Sequence, residues 1–139
     1  MRKLLVLATT MVVLSACGGT SVFEMAVGDC FDDPSQFDEV SSLMTVDCAE
    51  PHDNEVFALF DYTGSAVYPG EDVLQDVAEE GCIARFEDYI GIDYFESDIW
   101  FSALWPSAGS WDDGDREIIC FAYEGDFSKI TGSLRGAAR

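Results

Sequence analysis

Residues 48–60, CAEPHDNEVFALF, hold the chain's one histidine, His52, between Pro51 and Asp53, four residues after Cys48 and three before Glu55. An imidazole among carboxylates suits a general base oriented by Asp53 or Glu55, a metal ligand or a pH switch. A hydrolase built on His52 also needs a nucleophile. The chain has no G-x-S-x-G elbow and no S-x-x-K. A zinc-dependent enzyme needs at least three ligands, and one histidine without a C-x-x-C pair falls short of that set. We therefore read His52 as a fold residue that ties the Pro51 turn to a neighbouring loop. No catalytic residue, metal or cofactor is assigned, and an envelope hydrolase or metal-dependent enzyme using His52 is the alternative.

Two other groups invite chemistry. Gly114-Asp115-Arg116 could form an anion site, but in so acidic a chain the Arg116 guanidinium is expected to pair with a carboxylate such as Glu55 on the neighbouring strand. Trp100, Trp105 and Trp111 could stack on wall glycans, although at strand spacing tryptophans are more often core. Trp111, with Asp112 and Asp113 beside it, forms the candidate binding set. Asp112 to Asp115 lacks the ligand spacing of a calcium loop.

Residues 1–16 read as a lipoprotein signal peptide. Arg2 and Lys3 precede an apolar run from Leu4 to Leu14, which is too short for a membrane span and suited to a secretory leader. Leu14-Ser15-Ala16-Cys17 resembles the lipobox of bacterial lipoprotein precursors. That resemblance implies cleavage before Cys17 and diacylglycerol on its thiol, and the two acyl chains (of palmitate type) suffice for stable anchoring. Residues 17–26 would then form the lipidated cysteine and a flexible tether. The expected address is the extracytoplasmic face of the cell membrane. Removing Arg2 and Lys3 leaves five basic against 27 acidic residues, a net −22 on residues 17–139. Such a charge excludes nucleic-acid binding and repels anionic lipid. It admits a cationic partner or a role as a small-ligand or cation sensor.

These residues need a scaffold. In an exported chain Cys30, Cys48, Cys82 and Cys120 read as two disulfides, for which three pairings exist. Tyr68-Pro69-Gly70 breaks the chain ahead of a helix over Glu71–Ile90. Leu74, Ala78, Cys82, Phe86 and Tyr89 form its apolar stripe, Glu71, Asp72 and Asp76 favour its start, and Gly91 stops it. Asn54–Tyr62 alternates as a strand, with Val56, Ala58, Phe60 and Tyr62 on one face and Phe57 and Leu59 on the other. Ile99, Phe101, Ala103 and Trp105 share one side of a second strand, and Pro106–Gly114 reads as loop. Residues Arg116–Tyr123 are apolar on both faces, as a central strand should be. Cys82 on the helix stripe and Cys120 among the small residues of this strand favour the bridges Cys82–Cys120 and Cys30–Cys48. The fold class is α+β: a small, mainly antiparallel sheet with one principal helix packed on it, stabilised by two disulfides.

Several motifs now stand in order. They are Val27-Gly28-Asp29-Cys30-Phe31, Cys48-x-x-Pro51-His52-x-x-Glu55-Val56, Tyr68-Pro69-Gly70, the helix with Cys82, Trp111-x-x-Gly114-Asp115-Arg116 with Cys120, and Gly132-Ser133-Leu134. Together they resemble the septum-formation domain family of actinobacterial envelope proteins, over residues 27–136, leaving 137–139 as a tail. The resemblance implies an extracytoplasmic module on a membrane anchor, a link to septation and an envelope or cell-wall partner. It carries no established chemistry. The expected function is a non-catalytic binding module of the cell envelope.

Overall fold

The computed structural model describes residues 20–21, 24–34 and 42–139. Cys17, the leader 1–16 and part of the tether lie outside them. Strands β1 (Thr20–Ser21), β2 (Cys30–Asp32), β3 (Ser42–Val46), β4 (Asn54–Asp61), β5 (Ile99–Leu104) and β6 (Glu117–Glu124) form one sheet in the order β1-β3-β2-β4-β6-β5. Every pairing is antiparallel. Helix α1 (Glu71–Ile90) links β4 to β5 and covers one face of the sheet. Among the described residues no helix is long and apolar enough to cross a membrane. The α+β class and the helix boundaries match the sequence reading. The tether reading needs correction, since Thr20 and Ser21 pair with Leu43 and Ser42 on the edge of β3.

Helix α1 forms where its stripe predicts. Leu74, Ala78, Cys82, Phe86, Tyr89 and Ile90 are buried, Glu71 and Asp72 occupy the positive first turn, and Gly91 closes the end at φ 92° with its N–H on the Glu87 carbonyl. The stripe meets Ile118, Cys120 and Ala122 of β6 and Ile99 of β5. Phe86 packs edge-on against Phe57 and Tyr94, with centroids 5.6 and 5.1 Å away. The Cys82–Cys120 disulfide ties helix to sheet at the centre of this layer, and Cys30–Cys48 ties β2 to the end of the β3 segment. Both bridges are the expected ones.

The alternation along β4 fails at one point. The register shifts between Val56 and Ala58, a bulge that sets two residues against one. Phe57 and Ala58 consequently both face the helix side, whereas Val56 joins Met25, Phe31, Leu43 and Ile119 in a second cluster across the sheet. The expected face of Val56 and Phe57 is thereby exchanged. The stretch read as loop also contains a helix, α2 (Ala108–Asp112). Ser107 and Ser110 cap it reciprocally, side chain to backbone.

Gly81 lies mid-helix, where alanine is normally favoured by about 1 kcal/mol. A Cβ there would stand 2.2 Å from Cζ of Phe60, whose ring also carries the Arg85 guanidinium at 4.2 Å. We expect Gly81→Ala to lower stability by about 1 kcal/mol, because displacing a packed ring outweighs the propensity gain. Urea unfolding decides the matter, and a stabilised variant would show that Phe60 swings aside freely.

Candidate functional site

Glu55 stands beside Cys30 across the β2–β4 ladder and is fully buried, 0 % exposed. Its Oε1 accepts from the Tyr89 hydroxyl and the Ser133 hydroxyl, each at 2.5 Å, and its Oε2 accepts from the Leu134 N–H at 2.5 Å. The carboxylate thus joins β4, the last turn of α1 and the C-terminal segment. Burial and the Glu55 carboxylate together push the Tyr89 hydroxyl up to about 12, so it remains a donor at neutral pH. Arg135 stacks over the Tyr89 ring at 4.2 Å. Gly136 and Ala138 donate to the carbonyls of Tyr89 and Ile90, each at 2.8 Å, and Arg139 pairs with Glu124. Residues 137–139, read as a tail, are therefore fastened to the end of α1 and to β6. The sequence offered Tyr89 only as a core residue and Ser133-Leu134 only as a family motif. Their common acceptor emerges from the fold.

His52 is also 0 % exposed. Its backbone pairs with Ile130 in both directions, at 3.0 and 2.8 Å, and its Nδ1 lies 2.8 Å from the Glu50 carbonyl oxygen. A carbonyl only accepts, so Nδ1 is the donor, and in the neutral ring Nε2 holds the lone pair. That Nε2 has no hydrogen-bond partner among the described residues. Asp53 faces elsewhere. Burial raises its carboxyl, but Lys129 at 2.7 Å and the Asp33 N–H at 3.0 Å outweigh this and hold it below the ordinary aspartate range. Neither Asp53 nor Glu55 orients the imidazole by a hydrogen bond. The Glu50 carbonyl does.

Arg116 does not reach Glu55. Glu55 opposes Ala122 in the β4–β6 ladder, six residues along β6. Arg116 instead donates to the carbonyls of Trp111 at 2.9 Å and Asp115 at 2.5 Å, and its guanidinium lies 3.6 Å from the Trp111 ring. Trp111 is 4 % exposed, flanked by Tyr62 and Tyr68, with its indole N–H on the Ala66 carbonyl at 3.2 Å. The expectation of an open loop tryptophan is corrected, because the capped α2 turns this ring inward beneath Arg116. Asp112 and Asp113 stay exposed beside it. Gly114 takes φ 98° at the turn out of α2, and Asp115 accepts from the Ser110 hydroxyl and the Glu117 N–H. Trp100, by contrast, is 47 % exposed.

The sheet face away from α1 forms an open groove. Its lining includes the apolar side chains of Phe31, Ile119 and Phe121 and the carboxylates of Asp33, Asp115 and Glu117. Burial, and then the carboxylates of Asp61 and Asp115, raise the Glu117 carboxyl. The ion pairs among the described residues join Lys129 to Asp32 and Asp53, and Arg139 to Glu124. None of them touches Glu117, Asp61 or Asp115.

Comparison with known proteins follows the same lines. A family described as septum formation matches residues 27–139. Two forms of an uncharacterized membrane protein of Mycobacterium tuberculosis, from strains CDC 1551 / Oshkosh and ATCC 25618 / H37Rv, are each 30% identical over 106 residues. The match takes in 69% of this chain and 23% of those proteins, so this chain spans under a quarter of their length. No solved structure matches. Within the matched residues the fold builds two clusters, one around Glu55 and one around Trp111 and Arg116, and the chain belongs to the septum-formation family.

Proposed function

We propose that this chain is a lipid-anchored, extracytoplasmic binding module of the cell envelope, without catalysis, whose partner presents positive charge to the open face of the sheet. The observation that carries the reading is the like-charged set Glu117, Asp61 and Asp115, which no ion pair among the described residues neutralises and of which Glu117 and Asp115 line the groove. A cation there would relieve like-charge repulsion. The motif residues support a binding role, because Glu55 and His52 are buried where substrate has no access and their hydrogen bonds hold the chain together. The family and the membrane-protein relatives support the envelope setting and a link to septation.

Crosslinking in intact cells followed by mass spectrometry tests the partner. Charge reversal by Glu117→Lys with Asp61→Lys should cut the crosslinked yield at least tenfold while the protein stays folded. An unchanged set of crosslinks refutes the groove as the binding face. Anchoring is tested separately. Cys17→Ala should release the protein from membranes or leave the leader uncleaved, and unchanged fractionation and precursor size would remove the lipid anchor from the proposal.

The same cluster sets a pH dependence. A carboxyl raised by folding contributes stability that is fully present below its unfolded value, near 4.5, and is lost as pH rises through the folded value. Glu117→Gln should therefore stabilise the protein at pH 7 and should change nothing at pH 3. Urea midpoints at the two pH values give the comparison, and equal effects at both would remove the electrostatic explanation.

A further inference from the structure

One nitrogen of the His52 ring, Sγ of Cys30 and a carboxylate oxygen of Glu55 lie within 4.8 Å of one another, and all three residues are buried. A thiolate, an imidazole and a carboxylate form a donor set that zinc and its cobalt surrogate accept. The surroundings match those of metal-binding side chains. The neutral His52 ring carries its proton on Nδ1, held by the Glu50 carbonyl, and its buried Nε2 lone pair has no hydrogen-bond partner among the described residues. Glu55 is fixed by three donors. Outer partners of this kind fix the tautomer and the orientation of ligands at metal centres. What keeps the set from a metal is the bond from Cys30 to Cys48.

We propose that reduction of the Cys30–Cys48 disulfide opens a buried zinc site with Cys30, His52 and Glu55 as ligands. A dithiol reductant delivers two electrons and two protons to the disulfide and leaves as its own disulfide, and both cysteines become thiols. Zinc then replaces the proton on the Cys30 sulfur, which passes to solvent.

The test uses the purified chain in a Cys17→Ser background and adds Cys48→Ala, which leaves Cys30 as the free thiol without any reductant. Cobalt(II) and zinc(II) are the probes. The Cys48→Ala protein should bind one cobalt with a thiolate-to-cobalt charge-transfer band. At zinc concentrations a hundredfold above Kd its melting temperature should rise by roughly 5–10 °C. The disulfide-bonded protein should show neither change. Adding His52→Gln should weaken binding at least tenfold. If Cys48→Ala is unfolded without metal, zinc-dependent folding is the supporting outcome. Absence of both the band and metal-dependent folding overturns the proposal. So does unchanged affinity after His52→Gln, which would place the metal on the acidic surface.

Discussion

Replacing Glu55 with alanine is expected to cost about 4 kcal/mol. The substitution withdraws the shared acceptor from the Tyr89 hydroxyl, the Ser133 hydroxyl and the Leu134 N–H. A hydrogen bond to a charged group contributes about 1.5–3 kcal/mol, and a buried donor left unpaired adds its own desolvation cost. Ser133 is exposed and recovers water, which keeps the loss below the simple total. Glu55→Gln keeps one acceptor oxygen but turns an amide donor towards one of these donors, so about half the loss should remain. Tyr89→Phe, which removes a buried donor, should cost about 2 kcal/mol, and Ser133→Ala, at an exposed residue, about 1 kcal/mol. Urea unfolding of the disulfide-bonded protein measures the series. A loss under about 1 kcal/mol for Glu55→Ala would show that the C-terminal segment is held by other contacts and that this carboxylate is free for another role.

The second large effect belongs to the bridge between helix and sheet. Cys82 and Cys120 are 38 residues apart and both 0 % exposed. Closing a loop of that length in the unfolded chain corresponds to about 4 kcal/mol of stability in the chain-entropy model, against about 3 kcal/mol for the shorter Cys30–Cys48 loop. Replacing both Cys82 and Cys120 with alanine should therefore cost about 4 kcal/mol, with a further loss from the vacated sulfur volume. A penalty below about 1.5 kcal/mol would mean that the α1 stripe docks on β6 unaided. The ranking of the two bridges is a second check, since the cost of removing Cys30–Cys48 should be smaller.

Each of the two clusters gathers residues that lie far apart in the chain. Glu55 collects partners 34, 78 and 79 residues downstream. Arg116 covers Trp111, which in turn touches Tyr62 and Tyr68. Each cluster closes a different junction of the fold: Glu55 joins the end of α1 to the C-terminal segment, and Trp111 joins α2 to the segment that leads into α1. The open acidic face borders the second cluster through Asp115, which lines the groove and whose carbonyl accepts from Arg116.

The sequence alone determined the elements whose signals are local. The helix over Glu71–Ile90 was legible because a breaker, an acidic first turn, a stripe at helical spacing and a stop glycine all fall within one short stretch. The alternation of Ile99 to Trp105 and the two apolar faces of β6 were legible for the same reason, and the pairing of Cys82 with Cys120 followed from which face each occupies. Only the tertiary structure decided the bulge that exchanges the faces of Val56 and Phe57, because it exists in the register of β4 against β6. The same holds for the partners of Glu55 and for the turning of Arg116 onto Trp111 and carbonyl groups. A buried polar group takes whichever donors the packed fold brings within hydrogen-bond range. That choice rests on contacts between distant segments, and no local spacing in the chain encodes it.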